Sequence, residues 1–303
     1  MLGAVERCFL TKGFAMKSPK PSHPANATVL LRIALSLSIV GPATGLAAPQ
    51  DWSMLRAKPV ALVADDWCPQ HCEKSTTEKG YVIDIVSQAL ELEGVPFTVK
   101  YVPWTRAMRM VERAEADGLL TPTVPGFPQF RFHRQAVGYQ QYCFYVDKAS
   151  DWKFANYADL LGKRIAMLAD SGLGPLEGYL KANRDSITVS ELRGENDFAF
   201  RLFKFLASKR ADTVVLTSDV FEYSQATGVV DKGYKSAGCL DREKMAVGLA
   251  HGNATRSELI GKALDSGIEK LRKSGKLAAI LARYGMTDWD PLEKAQKSTP
   301  PAR

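Results

Sequence analysis

Cysteine and histidine are scarce in this chain, with five Cys and four His among 303 residues. The sequence has no Gly-x-Ser-x-Gly elbow, no His-x-x-x-His pair and no Walker-type phosphate loop. The short signatures of serine hydrolases, zinc hydrolases and P-loop enzymes are therefore missing. The one extended apolar stretch lies near the N-terminus and is interrupted by Arg32, which leaves no spanning-helix candidate in the body. A strong excess of one charge is absent as well. The formal charge is +7, of which residues 1–47 hold +4 through Arg7, Lys12, Lys17, Lys20 and Arg32 against Glu6. The remaining +3 is too small for a nucleic-acid footprint. With 46% hydrophobic and 24% charged residues, the composition is globular, which excludes disorder, collagen and coiled coil.

The N-terminal segment 1–47 reads as a signal peptide. Lys17, Lys20 and Arg32 flank a short apolar core, Ile33 to Val40, and Gly45-Leu46-Ala47 offers small residues for cleavage after Ala47. Met16 is an alternative start. A buried N-terminal helix is the competing reading, and Gly41-Pro42 argues against it. Export predicts an oxidising compartment. Cys8 leaves with the leader, and the four remaining cysteines, Cys68, Cys72, Cys143 and Cys239, suggest two disulfides with three possible connectivities. Cys68 and Cys72 are near enough in sequence to pair across one turn, which leaves Cys143 with Cys239. A metal site from Cys68, His71 and Cys72 is the rival, weakened by the want of a fourth nearby ligand.

Two stretches of the mature chain share one plan. In the first, Val60–Ala64 reads as strand, Tyr81–Leu92 as helix with Val82, Ile85, Val86, Ala89 and Leu90 on one face, Phe97–Val102 as strand, Thr105–Glu115 as helix and Gly118–Leu120 as strand. In the second, Arg164–Leu168, Ile187–Leu192 and Thr213–Leu216 read as strands, with helices at Pro175–Ala182 and Asp197–Ser208 between them. The second of these helices should bury Phe198, Leu202, Phe205 and Leu206. A strand at Met245–Leu249 and helices at Arg256–Ser274 and Lys276–Tyr284 follow. Strands alternating with helices predict two α/β lobes with parallel sheets.

Four segments then resemble one family, the polar-amino-acid periplasmic solute-binding proteins, family 3. Gly80-Tyr81-Val82-Ile83-Asp84-Ile85-Val86 is similar to the family's Gly-aromatic-x-x-Asp entry into its first helix, and Pro103-Trp104-Thr105-Arg106-Ala107 to its Trp-x-Arg-Ala segment. Ala211 to Asp219 resembles the segment ending in the pocket aspartate, and Leu271 to Leu277, with Tyr284-Gly285 and Trp289, resembles the terminal helices. The resemblance covers residues 58–290. It implies a type II periplasmic-binding-protein-like fold, an α/β chain of two lobes joined by two crossover strands. Lobe 1 would span 58–144 and 245–290, lobe 2 would span 147–240, and 291–303 would be a flexible tail. The crossings are expected near Tyr142–Lys148 and Cys239–Val247, where a Cys143–Cys239 disulfide would tie the hinge strands.

Ligands of open α/β sheets sit beyond the carboxyl ends of the strands. That rule, with the resemblance, picks Asp65 and Trp67 after the first strand, Thr121 after the third, and Ser171 and Gly172 after the first strand of lobe 2. Trp104 and Tyr142 would add aromatic walls. Asp219 would pair with an ammonium group, or alternatively cap a helix beginning near Val220. Arg106 or Arg131 would hold a carboxylate, although Arg106 also reads as a solvated helix charge, and the tryptophans as core. One departure counts against a standard α-amino acid: the family's Thr-x-Glu-Arg is replaced by the longer Thr121-Pro122-Thr123-Val124-Pro125-Gly126-Phe127-Pro128-Gln129-Phe130-Arg131.

The expectation is a monomeric periplasmic protein, without cofactor, metal or catalytic residues, that closes on a small polar solute. An inner-membrane ABC permease or a sensor receptor would receive the loaded form. The alternatives are a sensory module and a cyclohexadienyl-dehydratase-like enzyme with Glu177 or Glu195 as general acid.

Overall fold

The computed structural model describes residues 51–75, 77–169, 171–193 and 197–289. The expected signal segment, the tail and Glu195 lie outside the described residues. The chain begins with α1 (Ser53–Ala57), β1 (Val60–Ala64), α2 (Tyr81–Leu92), β2 (Phe97–Tyr101), α3 (Trp104–Glu112), β3 (Gly118–Leu119) and β4 (Arg131–Phe132). After a short strand β5 (Gly138–Gln140) come β6 (Tyr142–Asp147), β7 (Arg164–Leu168), α4 (Pro175–Ala182), β8 (Thr188–Leu192), α5 (Phe198–Ala207), β9 (Thr213–Thr217), α6 (Ser218–Ala226) and β10 (Tyr234–Cys239). The chain returns through β11 (Glu243–Met245) and β12 (Gly248–Leu249) and ends in α7 (Ala254–Lys273) and α8 (Lys276–Arg283).

Two five-stranded sheets result, in the orders β2-β1-β3-β12-β4 and β10-β6-β9-β7-β8. Strands β1, β2 and β3 run parallel, as do β7, β8 and β9. Each group is linked by crossover helices, the connection that parallel strands require. The strands that run against these are β12 in the first sheet and β6 in the second, and β4 and β10 pair antiparallel with them at the edges. Between the sheets lies a two-stranded ribbon, β5 with β11, in which Glu243 faces Gln140.

Each sheet is covered on both faces. In the first lobe α2, α7 and α8 close one side around Ile85, Leu90, Leu264 and Ile268, while α3 packs Ala107 and Val111 on the other. The apolar stripe expected on α2 is buried in full, because i, i+3 and i+4 positions share a helix face. Helix α7 crosses α2 so closely that a Cβ on Gly267 would stand 2.2 Å from the Ala89 carbonyl oxygen, so only glycine fits there. In the second lobe α5 buries Phe198, Leu202, Phe203 and Leu206, leaving Phe205 only partly covered. The opposite face holds Phe144, Phe154, Leu160 and Leu176.

Two expectations about the connections change. The run Met245–Leu249 is not one strand: β11 ends at Met245 in the ribbon, and β12 begins at Gly248 in the first sheet. Strand β11 falls inside the expected 239–247 crossing, but the first crossing comes earlier than expected, at β5 before Tyr142, and β6 and β10 belong wholly to the second sheet. There Cys143 and Cys239 face each other in register and are joined by a disulfide. Cys68 and Cys72 form the second disulfide, which removes the two thiolates that a metal site on that loop would need.

Candidate functional site

The parallel strands aim their carboxyl ends at one cavity of about 480 Å³. From the first lobe, Asp65 follows β1, Thr121 follows β3, and Trp67, Trp104 and Phe127 complete the wall. From the second, Leu168 ends β7, Leu192 ends β8, and Tyr142, Ser171 and Gly172 face across. Gly172 has φ +65°, and a Cβ there would stand 3.5 Å from the Phe127 ring, so the lobes approach closely at this point.

Beneath the first-lobe wall lies a buried polar relay. His71 Nδ1 is 2.6 Å from the Asp65 carbonyl oxygen. A carbonyl can only accept, so Nδ1 carries the proton, and in the neutral ring Nε2 is an acceptor. The Thr121 hydroxyl, 2.9 Å away, therefore donates to Nε2, leaving its lone pairs for other partners. Thr121 has φ +61°, a region that costs a β-branched residue on the order of 1–3 kcal/mol, and the His71 bond helps to hold it there. The loop that carries His71 is seated against the start of α2. Gly80, at φ +105°, leaves no room for a Cβ, which would lie 2.3 Å from the Gln70 carbonyl oxygen.

Burial pushes the His71 imidazole down to about 4, against the pull of the Asp65 carbonyl and the Asp66 charge. The folded value lies below the unfolded one, so between them only the unfolded chain takes up the proton. The contribution is complete above about pH 6.5 and is lost as pH falls toward about 4, a decrease of roughly 3 kcal/mol. An NMR titration of the His71 ring should give a midpoint near 4 with the proton on Nδ1 above it. A midpoint above 6 would contradict the relay.

The aromatic wall is held from both lobes. Trp67 stacks on Phe198 of α5 with centroids 4.4 Å apart, and Trp104 meets Phe127 edge-on at 5.6 Å. The Tyr142 hydroxyl donates to the Ser171 carbonyl oxygen at 2.5 Å, and the Ser171 hydroxyl donates to the Leu168 carbonyl oxygen. These bonds fix the turn after β7.

Seven of the ten sequence-selected residues thus share one cavity: Asp65, Trp67, Trp104, Thr121, Tyr142, Ser171 and Gly172. The other three stand elsewhere. Arg106 is exposed on α3 and Arg131 is exposed on β4, and neither lines the cavity. Asp219 lies in the first turn of α6, after the cap residue Thr217. Its Oδ2 accepts from Gln70 Nε2 at 2.9 Å and from the Tyr81 hydroxyl at 3.4 Å, across the lobes, while Oδ1 accepts from the Val220 N–H. Burial draws its carboxyl group upward, and these bonds oppose the rise. Glu177 accepts from the Leu173 N–H at 2.9 Å, a bond within the turn that opens α4. The cavity also contains residues that were not selected, among them Gln70, Thr123 and Arg193. Arg193 follows the end of β8 at Leu192, a strand end to which the strand-end rule was not applied.

No family model matches the sequence, and no curated protein does. Solved structures do match. A putative L-cystine ABC transporter from Listeria monocytogenes superposes with TM-score 0.61 at 18% identity, covering 76% of this chain and 98% of its own. The GluR0 ligand-binding core from Nostoc punctiforme, in complex with L-glutamate, gives 0.59 at 18% identity, with 75% and 99% covered. A histidine kinase sensor domain with similarity to periplasmic binding proteins gives 0.60 at 16%, with 76% and 96% covered. The fold is periplasmic-binding-protein-like. In this binding-protein fold, strand ends from both lobes face one another across the cleft, the position at which open α/β sheets take ligands.

Proposed function

We propose that the protein is an exported, family 3 solute-binding protein that captures a small polar solute between its lobes by hinge closure. The observation that carries this reading is the cavity itself, whose walls come from strand ends of both lobes. A solute touching Thr121 and Trp104 on one side and Tyr142 and Ser171 on the other favours the closed form by its contacts with both. Asp65 and Arg193 supply one charge of each sign to the wall, which suits a zwitterionic solute, an amino acid or a related small organic acid or amine. Trp67, Trp104, Phe127 and Tyr142 suit an apolar or aromatic body. Asp65 then replaces Asp219 as ammonium partner, and Arg193 replaces Arg106 and Arg131 as carboxylate partner. The loaded monomer is read by an inner-membrane ABC permease in the periplasm, with no cofactor. A sensor receptor is the competing recipient.

A thermal-shift screen of the ligand-stripped protein tests the reading, with amino acids, amines and small organic acids, prephenate and arogenate included. A ligand at one hundred times its dissociation constant adds about 2.7 kcal/mol. A saturable shift without consumption of the compound supports the proposal. Consumption of prephenate or arogenate would replace it with the dehydratase reading, and no shift from any compound would leave it without support.

A further inference from the structure

A second cavity, of about 630 Å³, adjoins the first at Tyr142. Its walls are the segment 154–158, the start of α4 and the connection from β10 to β11. We propose that this cavity is a second ligand site, for a small organic cation. The lining provides two kinds of group. Phe154, Tyr157 and Tyr179 form an aromatic cluster, with the two tyrosine rings 5.2 Å apart and Phe154 6.4 Å from Tyr157. Asp241 and Glu243 bring carboxylates, and among the described residues no Lys or Arg lines the cavity.

Aromatic faces attract cations through the ring quadrupole, most strongly where water is partly excluded, and a nearby carboxylate adds to the attraction. The start of α4 contributes the partial positive charge of a helix end. Glu177 already answers it by accepting the Leu173 N–H. Among the described residues, the charged side chains that line the cavity are the two acids, Asp241 and Glu243. A volume of about 630 Å³ is in the range of small-molecule sites. An alkyl- or aryl-ammonium ion, with charge at one end and an apolar body, fits both features. The site is distinct from the first cavity, with which it shares only Gln140, Tyr142 and Gly172. Its cation-recognising residues lie entirely outside the first cavity, so the inference stands whatever solute the first cavity takes.

Titration calorimetry of the whole protein with choline, tetramethylammonium and benzylamine tests this, in parallel with Glu243→Gln, Tyr179→Ala and Trp104→Ala variants. The expected result is saturable binding of at least one of these cations, weakened about tenfold or more by Glu243→Gln and by Tyr179→Ala. Trp104→Ala, in the first cavity alone, should leave it unchanged. Glu243→Gln is nearly isosteric and decides the matter if Tyr179→Ala fails to fold. No binding of any of the three cations overturns the proposal. So does binding that Trp104→Ala abolishes and Glu243→Gln leaves intact, since it would put the cation in the first cavity.

Discussion

A Cys143→Ala, Cys239→Ala double variant is expected to lose about 4–5 kcal/mol of unfolding free energy relative to the native protein. The bond joins residues 96 apart, and in the chain-entropy model a closed loop of that length restricts the unfolded ensemble strongly. Alanine avoids placing a hydroxyl at the buried Cys143 position. Removing Cys68–Cys72, which spans only 4 positions, should cost about half as much in the same model. Urea unfolding of the two double variants side by side measures the difference. A loss below about 1 kcal/mol for Cys143–Cys239 would mean that the unfolded chain already keeps these segments together. The bond also couples stability to the hinge. It links β6 and β10 just where both strands leave the β5–β11 ribbon, so it holds the second-lobe roots of both crossings side by side.

Replacing Arg256 with alanine is the other large effect, an expected loss of about 3–5 kcal/mol. Arg256 is 4% exposed, and its guanidinium grips Asp117 through Nε at 2.8 Å and Nη2 at 2.9 Å. Nη2 also donates to the Lys58 and Pro59 carbonyl oxygens, while Asp117 accepts from the Ala61 N–H. One side chain of α7 thus fastens the roots of β1 and β3, whose opposite ends carry Asp65 and Thr121. Burial alone would raise the Asp117 carboxyl, but the Arg256 fork and the Ala61 N–H hold it below the usual range. Truncation leaves the partly buried Asp117 carboxylate without its cation and takes the donor from the Lys58 and Pro59 carbonyl oxygens, which is why one substitution costs so much. A companion Arg256→Met, Asp117→Leu variant should regain part of the loss, because no buried charge remains. Denaturant curves decide it, and an Arg256→Ala protein within 1 kcal/mol of the native one would contradict the account.

The sequence disclosed most where local chemistry decides structure. Helix α2 was legible to the residue because its apolar positions keep a helical period and Gly80 marks its start. Strands β1 and β7 are short apolar runs between turn signals, and their ends located four of the cavity residues, Asp65, Trp67, Ser171 and Gly172. What could not be read depends on distant partners. Ala246 and Val247 are buried and apolar and continue the pattern of a strand, so nothing local shows that the chain changes sheets there. Strand β10, Tyr-Lys-Ser-Ala-Gly-Cys, has no alternation and exists through its pairing with β6. Asp219 sits past a strand end as a pocket carboxylate would, yet its partner Gln70 lies 149 positions away. No spacing rule reaches that far.

The central claim is that one solute is held by both lobes at once. Equilibrium binding of the solute found by the thermal-shift screen, measured on the native protein and on Trp104→Ala and Tyr142→Ala, tests it directly. Trp104 stands on the first lobe and Tyr142 on the second, and both line the cavity. The account predicts that each variant alone weakens binding by about tenfold or more, the loss of one buried aromatic contact. Unchanged affinity in either variant would mean that one lobe suffices, and would contradict capture by closure.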